Sequence, residues 1–349
     1  MNIIIFLFII LTLLGLVFQK SKLLTIIIFL FVWTLAWCTN LPDYYNYENA
    51  YEIDFFSDPG YMLVSFFFKK WGFDYFDFRL CFIGFGLFCY LFFILKFAKR
   101  CSLVACLYLC TLSFYDIVQN RSFVAFGISL IGMYFLISKK SVFGKILYVG
   151  LVLLASTIHI SISFYLIFLF ADKKILARIP KIVLIVVALI FVIVLQYMFS
   201  SQYALMVERY DVGVSTLTKS LLVVLFVSNL VFIKIWNSNK GDSWLSTLQS
   251  QYVRNKGELV LYFNIALLLV LPAAFMSLNA MRLYRYMGVV NYTFVTNKFR
   301  NSCMLNTLRL TLIIVLYAVS YGIISYLMHS TSFFEIVDPI LYENLFYKF

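Results

Sequence analysis

Long apolar segments recur along the whole chain, and most are close to the length that crosses a lipid bilayer. A transmembrane helix needs ~20 apolar residues, and shorter ones are tolerated inside a helix bundle. The candidate spans are residues 3–18, 23–38, 78–96, 102–118, 121–138, 143–158, 160–172, 181–199, 218–236, 258–278, 282–297 and 306–328. This pattern predicts an all-α polytopic membrane protein with about 12 transmembrane helices.

The composition supports a membrane protein over a soluble one. The chain is 63% hydrophobic and only 13% charged, with a mean hydropathy of +0.94. A soluble globule of this composition would lack the polar side chains needed to cover its surface. We therefore treat residues 1–349 as a single transmembrane domain.

Basic residues concentrate in alternate loops, which predicts an orientation. If the N-terminus is outside, the inner loops contain most of the lysines and arginines, with only Asp172, Asp242 and Glu258 as acidic residues. The positive-inside rule places such loops in the cytoplasm, so both termini should be extracytoplasmic. The outer loops would then be residues 39–77, 116–121, 200–217 and 279–285, and residues 237–258 would form an inner polar loop. The net charge of +12 is thus explained by topology, and a nucleic-acid partner is not expected.

Two stretches do not fit a simple span. Residues 143–171 form an apolar run that is too long for one crossing and short for two. We expect the chain to turn back within Ser156-Thr157-Ile158-His159. Residues 61–77 begin apolar and then interleave charged with aromatic side chains, which predicts a re-entrant or interfacial helix on the outer face.

The outer loop 39–77 is rich in both carboxylates and tyrosines. The first part of it contains Asp43, Glu48, Glu52, Asp54 and Asp58 together with Tyr44, Tyr45, Tyr47 and Tyr51. Carboxylates are costly in hydrocarbon and should therefore lie in water. Carboxylates beside aromatic rings suit sugar binding, although tyrosines alone also form interfacial belts. We expect Asp43 and Asp58 to act as general base or to accept sugar hydroxyls, with Tyr44 and Tyr47 stacking on sugars.

A pair of arginines begins the eleventh candidate span. Arg282 and Arg285 are three residues apart and share a helix face with Tyr286. Each planar guanidinium can donate two hydrogen bonds to phosphate oxygens, so the pair suits a pyrophosphate. The alternative is that these arginines reach outward to lipid headgroups.

Three further polar residues and a histidine are predicted at the same outer level. Arg121 follows Gln119 and Asn120, and either pairs with Asp116 or contacts phosphate or sugar. His159, at the predicted turn, would accept a proton or donate a hydrogen bond. Separated polar segments that meet at one membrane level are typical of an active site. We therefore expect one wet cavity that opens away from the cytosol.

Metal and cofactor chemistry receive no support from the sequence. The seven cysteines lie within or beside apolar segments and lack metal-ligand spacing. The chain has no phosphate-binding glycine motif, no paired-carboxylate metal motif and no serine-nucleophile elbow. We expect no metal and no cofactor, so that arginines are the cations available to a leaving phosphate.

Five short motifs occur in order along residues 40–290. They are Asn40-x-Pro42-Asp43-Tyr44-x-x-Tyr47, Asp58-Pro59-Gly60-Tyr61, Arg121-x-x-x-Ala125, His159-x-Ser161 and Arg282-x-x-Arg285-Tyr286. Their order and sidedness resemble the EpsG/Wzy-like polysaccharide polymerases. In one departure, the motif that begins here with Asp58 usually begins with Glu in that family.

The resemblance implies a fold and an activity. Such proteins look like GT-C-type glycosyltransferase bundles without nucleotide-sugar sites. They join repeat units carried on undecaprenyl pyrophosphate at the outer face of the bacterial cytoplasmic membrane, and commonly work with a chain-length regulator protein. The expected product is O-antigen, capsular polysaccharide or exopolysaccharide.

Two other functions are weighed against polymerisation. An O-antigen ligase would use similar chemistry but usually has a large outer loop late in the chain, which is not visible here. A transporter or flippase of lipid-linked oligosaccharide would be expected to place charged residues at the membrane midplane and often to show an internal repeat.

Overall fold

The computed structural model describes residues 2–54, 58–138, 141–171, 215–238, 258–276, 278–297, 304–327 and 330–347. Within these ranges every regular element is helical. The helices are α1 (Ile3–Val17), α2 (Lys22–Leu35), α3 (Tyr44–Glu52), α4 (Pro59–Lys70), α5 (Tyr75–Phe97), α6 (Cys101–Thr111), α7 (Ser113–Val118), α8 (Asn120–Ser138), α9 (Val142–Ile158), α10 (Thr216–Ser238), α11 (Glu258–Phe275), α12 (Met281–Asn297), α13 (Met304–Leu327) and α14 (Ser330–Tyr342). Short 3₁₀ segments include Ile160–Ala171 and Leu345–Tyr347. The predicted all-α class is confirmed.

The described helices match the apolar segments closely. By length and composition, α5, α8, α11 and the Thr216–Lys234 part of α10 can cross a membrane, and α1, α2, α6 and α9 are shorter apolar helices. The candidate span 102–118 is divided at Leu112 into α6 and α7. The candidate span 181–199 lies outside the described residues, as do most of the expected loops 200–217 and 237–258. The count of twelve crossings, the N-out orientation and the GT-C-like bundle stay predictions.

Several helices begin where a side chain caps the first turn. The Ser21 hydroxyl accepts the Leu24 N–H at 3.1 Å, and the Asp74 carboxylate accepts the Asp77 N–H at 2.8 Å. Ser141 caps α9 in the same way through Gly144, at 3.2 Å. These contacts satisfy N–H groups that have no partner within the helix. The capping residues therefore determine where these helices begin.

Helix α8 forms the centre of the first of two compact units, which comprises residues Met1–Tyr165 and Tyr292–Phe349. It packs against both α5 and α9. At the α5–α8 crossing, a Cβ added to Gly127 would lie 3.2 Å from the Gly86 carbonyl oxygen. Small residues therefore let these two helices approach closely, as is common for helices packed in membranes.

The predicted turn at residues 156–159 is present. Helix α9 ends at Ile158, and His159 is extended with φ −153° and ψ 110°. The Tyr148 hydroxyl donates to the Tyr165 carbonyl oxygen across the break. In a continuous helix these residues would be about 25 Å apart at 1.5 Å per residue. The chain therefore folds back on itself here.

The second compact unit, Leu166–Asn291, contains a buried asparagine network. Asn264 of α11 donates to Asn291 of α12 at 2.8 Å and accepts from Asn229 of α10 at 2.9 Å. All three side chains are buried. Amide hydrogen bonds of this kind join helices where the hydrophobic effect gives little specificity.

Candidate functional site

The acidic, tyrosine-rich stretch is helical and not an open loop. It forms α3 and α4, and α4 begins with Pro59 at its first turn, where a missing N–H is harmless. The ammonium of Lys69 ties the two helices together, since it donates to the Glu52 carbonyl at 2.7 Å and pairs with Asp54 at 3.0 Å. The helix expected within 61–77 thus starts at Pro59 and ends at Lys70, where Trp71 and Gly72 turn the chain toward α5.

An ion pair joins two of the predicted site residues. Arg121 Nη1 lies 2.9 Å from Asp58 Oδ2, and both side chains are mostly buried. The pairing of Arg121 with Asp116 that the sequence analysis weighed is therefore wrong, because the partner comes from a segment 63 residues away. The expected outer loop 116–121 is also corrected. Only Gln119 separates α7 from α8, so Asn120 and Arg121 lie in the first turn of a helix.

Two tyrosines enclose the Arg121 guanidinium. Arg121 Nη2 donates to the Tyr47 hydroxyl at 3.2 Å, and its Cζ lies 4.8 Å from the centre of the Tyr47 ring. The Tyr61 ring centre lies 5.5 Å from the same carbon. A guanidinium over aromatic faces is held by cation–π attraction as well as by hydrogen bonds. Arg121 is therefore fixed in place, and its Nε, buried without a hydrogen-bond partner, is available to a ligand or water.

The break after α9 reaches the same cluster. Gly60 of α4, two residues after Asp58, lies against Thr157 of α9, and the backbone N–H of Ile160 is near enough to lower the pKa of the Asp58 carboxyl. The His159 ring is held by its own neighbour, because Nδ1 lies 2.8 Å from the Ser161 hydroxyl. The segments around Asp58, Arg121 and His159, which the sequence analysis expected to converge, do converge. We name this group, Tyr47, Asp58, Tyr61, Arg121 and His159, the Asp58–Arg121 cluster.

Burial and charge act in opposite directions on Asp58. Desolvation raises the pKa of its carboxyl above the ordinary value, while the Arg121 charge and the Ile160 N–H lower it. Because the net shift is upward, the carboxylate is protonated at a higher pH than an exposed aspartate would be. Protonation removes the charge that pairs with Arg121, so the pair is lost as the pH falls through this raised pKa.

Gly60 is required for the close approach of α4 to α9. A Cβ at this position would lie 2.2 Å from Thr157 Oγ1 and 2.8 Å from the Thr157 carbonyl carbon. Backbone cannot yield as a flexible side chain does, so Gly60→Ala should displace α4 and cost about 1–3 kcal/mol. We expect a lower melting temperature for the purified protein and weaker activity. Gly150→Ala is the matched control, since nothing lies within 4 Å of its added Cβ. Equal behaviour of the two variants would contradict this packing argument.

The first predicted tyrosine, Tyr44, points inward. It is buried, and its ring packs edge-on against Tyr75 at 5.2 Å between centroids. Burial and then the nearby Glu48 charge raise the pKa of Tyr44. On the same helix Tyr45 is 60% exposed and therefore open to a sugar ring. Sequence reasoning did not single out Tyr45, and a helical periodicity through residues 44–52 would have distinguished it.

Asp43 stands apart from the ion pair. It is exposed at the start of α3, in the left-handed region with φ 66°, and it makes no side-chain capping bond. Its carbonyl accepts the Tyr47 N–H at 3.0 Å, which places it one helical turn before the tyrosine that binds Arg121. A non-glycine residue held at positive φ is uncommon and is a frequent mark of a functional position.

A buried arginine that the sequence analysis did not name lies beneath this region. Arg79 of α5 is 2% exposed and donates to the carbonyl oxygens of Ala36, Cys38 and Ile117 at 2.6, 3.2 and 3.2 Å. Its Cζ lies 5.7 Å from the centre of the Tyr44 ring. Arg79 thus connects the ends of α2 and α7 to the start of α3.

Two amides adjoin Arg121 as the sequence analysis expected. Asn120 is buried, and its Nδ2 donates to the Tyr75 hydroxyl at 3.4 Å. Its Oδ1 is buried without a hydrogen-bond partner, so it can still accept from a ligand or a water. Gln119 is half-buried at the junction of α7 and α8.

The arginine pair lies in the second unit. Both residues are on α12, with Arg285 only 3% exposed and Arg282 half-buried. Arg282 Nη2 donates to Asn279 Oδ1 at 2.8 Å, and Arg285 Cζ lies 5.3 Å from the buried Tyr286 ring. An arginine that reaches out to headgroups must expose its guanidinium, so the burial of Arg285 argues against that alternative. The meeting of this pair with the Asp58–Arg121 cluster stays a prediction.

Comparison with known proteins gives one family. A family model described as the EpsG family matches residues 22–337, which is nearly the whole chain. No curated protein and no solved structure matches the sequence. The match includes every residue of the Asp58–Arg121 cluster and the arginine pair.

Proposed function

The chain belongs to the EpsG family and is a polysaccharide polymerase-like membrane protein, and we propose that it extends a surface glycan on the outer face of the bacterial cytoplasmic membrane. In this proposal it joins oligosaccharide repeat units that are carried on undecaprenyl pyrophosphate. The observation that carries the proposal is the Asp58–Arg121 cluster, in which an acid and a cation from distant segments form a mostly buried pair and the segment that contains His159 packs against the same helix, α4.

The proposed reaction is a glycosyl transfer without a metal. A hydroxyl oxygen at the non-reducing end of a new repeat unit attacks the anomeric carbon of the growing chain. The carbon–oxygen bond to pyrophosphate breaks, and the lipid pyrophosphate leaves with the bonding electron pair. The base takes the hydroxyl proton. Direct displacement of this kind inverts the anomeric configuration.

Each group of residues has a role in this proposal. Arg282 and Arg285 bind the donor pyrophosphate, because their guanidiniums can stabilise the charge that develops on it. Arg121 and Asn120 bind sugar or phosphate oxygens, and Tyr45 and Tyr47 stack on sugar rings. His159 or Asp43 accepts the proton. His159 is favoured because the Ser161 hydroxyl contacts Nδ1 at 2.8 Å and so orients the imidazole ring.

Deletion of the gene tests the class of function. We expect loss of the polymer ladder with single repeat units still present on the cell surface, and recovery of the ladder when the wild-type gene is restored. Absence of all surface repeats would instead indicate a flippase. Long chains that accumulate on their lipid carrier would indicate a ligase.

The choice of base is tested by substitution in the same strain. His159→Ala should lower polymer formation about a hundredfold, because a positioned general base contributes about that factor or more. Asp43→Asn should have the smaller effect if His159 is the base. His329→Ala, at the other histidine of the chain, is the matched control. A normal ladder from His159→Ala, with the protein present in the membrane, would transfer the assignment to Asp43.

A further inference from the structure

The C-terminal end of α2 presents five consecutive carbonyl groups, from Thr34 to Cys38, at the point where the chain enters the candidate site. The last carbonyls of a helix have no partner within it. Leu35, Ala36 and Cys38 are fully buried here. The Thr34 carbonyl still accepts the Trp37 N–H at 3.2 Å. A buried carbonyl without a hydrogen bond is costly, so other parts of the protein must supply donors to the remaining four.

The segment 343–347 donates three hydrogen bonds to these carbonyls. The side-chain amide of Asn344 donates to the carbonyl oxygens of Thr34 at 3.0 Å and Leu35 at 3.3 Å. The backbone N–H of Leu345 donates to the Trp37 carbonyl at 2.7 Å. Asn344 is 2% exposed, and the Phe346 ring packs edge-on against Trp37. This segment lies beyond the region that the family model matches.

Arg79 donates the hydrogen bonds to the two remaining carbonyls, those of Ala36 and Cys38. Its Nη1 donates to the Ala36 and Cys38 carbonyls, and Nη2 reaches Ile117, near the end of α7. A cation is favoured at the C-terminal end of a helix, where the backbone dipoles place negative charge. With Asn344 and Leu345, it completes the hydrogen bonding of all five carbonyls.

We propose that Asn344 and Arg79 are positioning residues that jointly fix the end of α2 and, through it, the start of α3 in the glycan-binding site. The C-terminal end of α2 and the start of α3 are directly connected. The chain runs from Cys38 to Tyr44 in a few residues, and the Tyr44 ring lies over the Arg79 guanidinium. One turn further along α3, Tyr47 binds Arg121. The role in the site rests on the proposed function, whereas the role at the end of α2 does not.

The thiol of Cys38 reports on this junction without any assay of activity. It is buried in the wild-type chain. Membranes containing the full-length protein are treated with N-ethylmaleimide, and modification at each cysteine is followed by peptide mass spectrometry. The exposed Cys81 is the internal reference. We expect Asn344→Ala and Arg79→Gln to raise the rate at Cys38 at least about tenfold, because local opening at the end of α2 then costs less free energy.

Two further variants separate this role from general loosening. Asn344→Asp keeps the side-chain size but removes both amide donors, so it should behave like Asn344→Ala. Gln19→Ala is the matched control at the opposite end of α2. Gln19 is also an amide that bridges to a distant residue, Thr311, at 3.1 Å. It should leave the Cys38 rate unchanged.

Labelling and polymer length are measured on the same variants. Faster Cys38 labelling together with shortened polymer in the Asn344 and Arg79 variants, but not in Gln19→Ala, supports the proposal. Unchanged labelling, or an equal increase in Gln19→Ala, overturns it. Faster labelling with normal polymer overturns the positioning role. If the wild-type gene itself restores no polymer, the proposed function fails, and the labelling still decides whether Asn344 and Arg79 hold the junction.

Discussion

Replacement of Arg121 by alanine is expected to reduce polymer formation about a thousandfold, as is typical when a positioned donor to developing charge is removed. The guanidinium has ion-pair, hydrogen-bond and aromatic contacts in the Asp58–Arg121 cluster. Its loss also leaves the Asp58 carboxylate in a mostly buried position without its cation, which is destabilising. The measurement is the surface glycan ladder, normalised to the amount of protein in the membrane.

A double variant separates catalysis from stability at this pair. Asp58→Asn with Arg121→Gln removes both charges, so neither single-variant penalty of a buried unpaired ion remains. We expect the double variant to regain thermal stability relative to Arg121→Ala but to remain inactive. Recovery of the ladder in the double variant would show that the pair only supports the fold.

Asp58→Glu provides a milder change at the same position. The longer side chain keeps the negative charge and is the residue usual at this position in the family that the motif resembles. We expect it to retain most of the activity, whereas Asp58→Asn, which lacks the charge, should lose it. Asp58→Asn keeps the size of the side chain and Asp58→Glu keeps its charge, so a loss of activity in Asp58→Glu alone would point to packing at the start of α4.

The convergence around Asp58 was predictable from the sequence for a simple physical reason. In a chain this apolar, charged residues away from the basic loops are costly in lipid and must gather where water or partners exist. Asp58, Arg121 and His159 each stand at the end of an apolar segment. The sequence therefore predicts their common level and, with the motif order, the region of the site.

The individual contacts were less predictable. Asp116 is the carboxylate nearest to Arg121 in the sequence, and it competes with Asp58 in any argument from spacing alone. Only the fold brings the start of α4 to the start of α8. Tertiary contacts between distant segments decide such partners, and a single sequence contains no distances.

Arg79 and Asn344 show the same difficulty more strongly. Their donors serve backbone carbonyls, and every residue has a carbonyl, so no side-chain motif marks the acceptors. Arg79 lies at the edge of an apolar segment, so its position in the sequence predicts only that it begins a transmembrane span. Its role becomes visible only when the end of α2 lies beside it.

Replacement of Arg285 is the second large effect that we expect. The side chain is 3% exposed and packs beside Tyr286. In the proposed function its guanidinium binds the donor pyrophosphate and stabilises the charge that develops on it. Arg285→Ala should therefore reduce polymer formation about a thousandfold. Arg285→Lys should recover only part of the activity, because an ammonium lacks the planar fork that matches phosphate oxygens.

Arg282 and an exposed arginine complete the test. Arg282 is half-buried and bound to Asn279, so Arg282→Ala should be weaker than Arg285→Ala but in the same direction. Arg309 of α13 is exposed and is the matched control that should leave the ladder unchanged. The decisive measurement is accumulation of the lipid-linked donor, because a variant that cannot stabilise the leaving pyrophosphate still receives its substrate. A full ladder from Arg285→Ala, or a loss equal to that in Arg309→Ala, would exclude the arginine pair from the mechanism. The Asp58–Arg121 cluster would then be the remaining source of positive charge in the proposal.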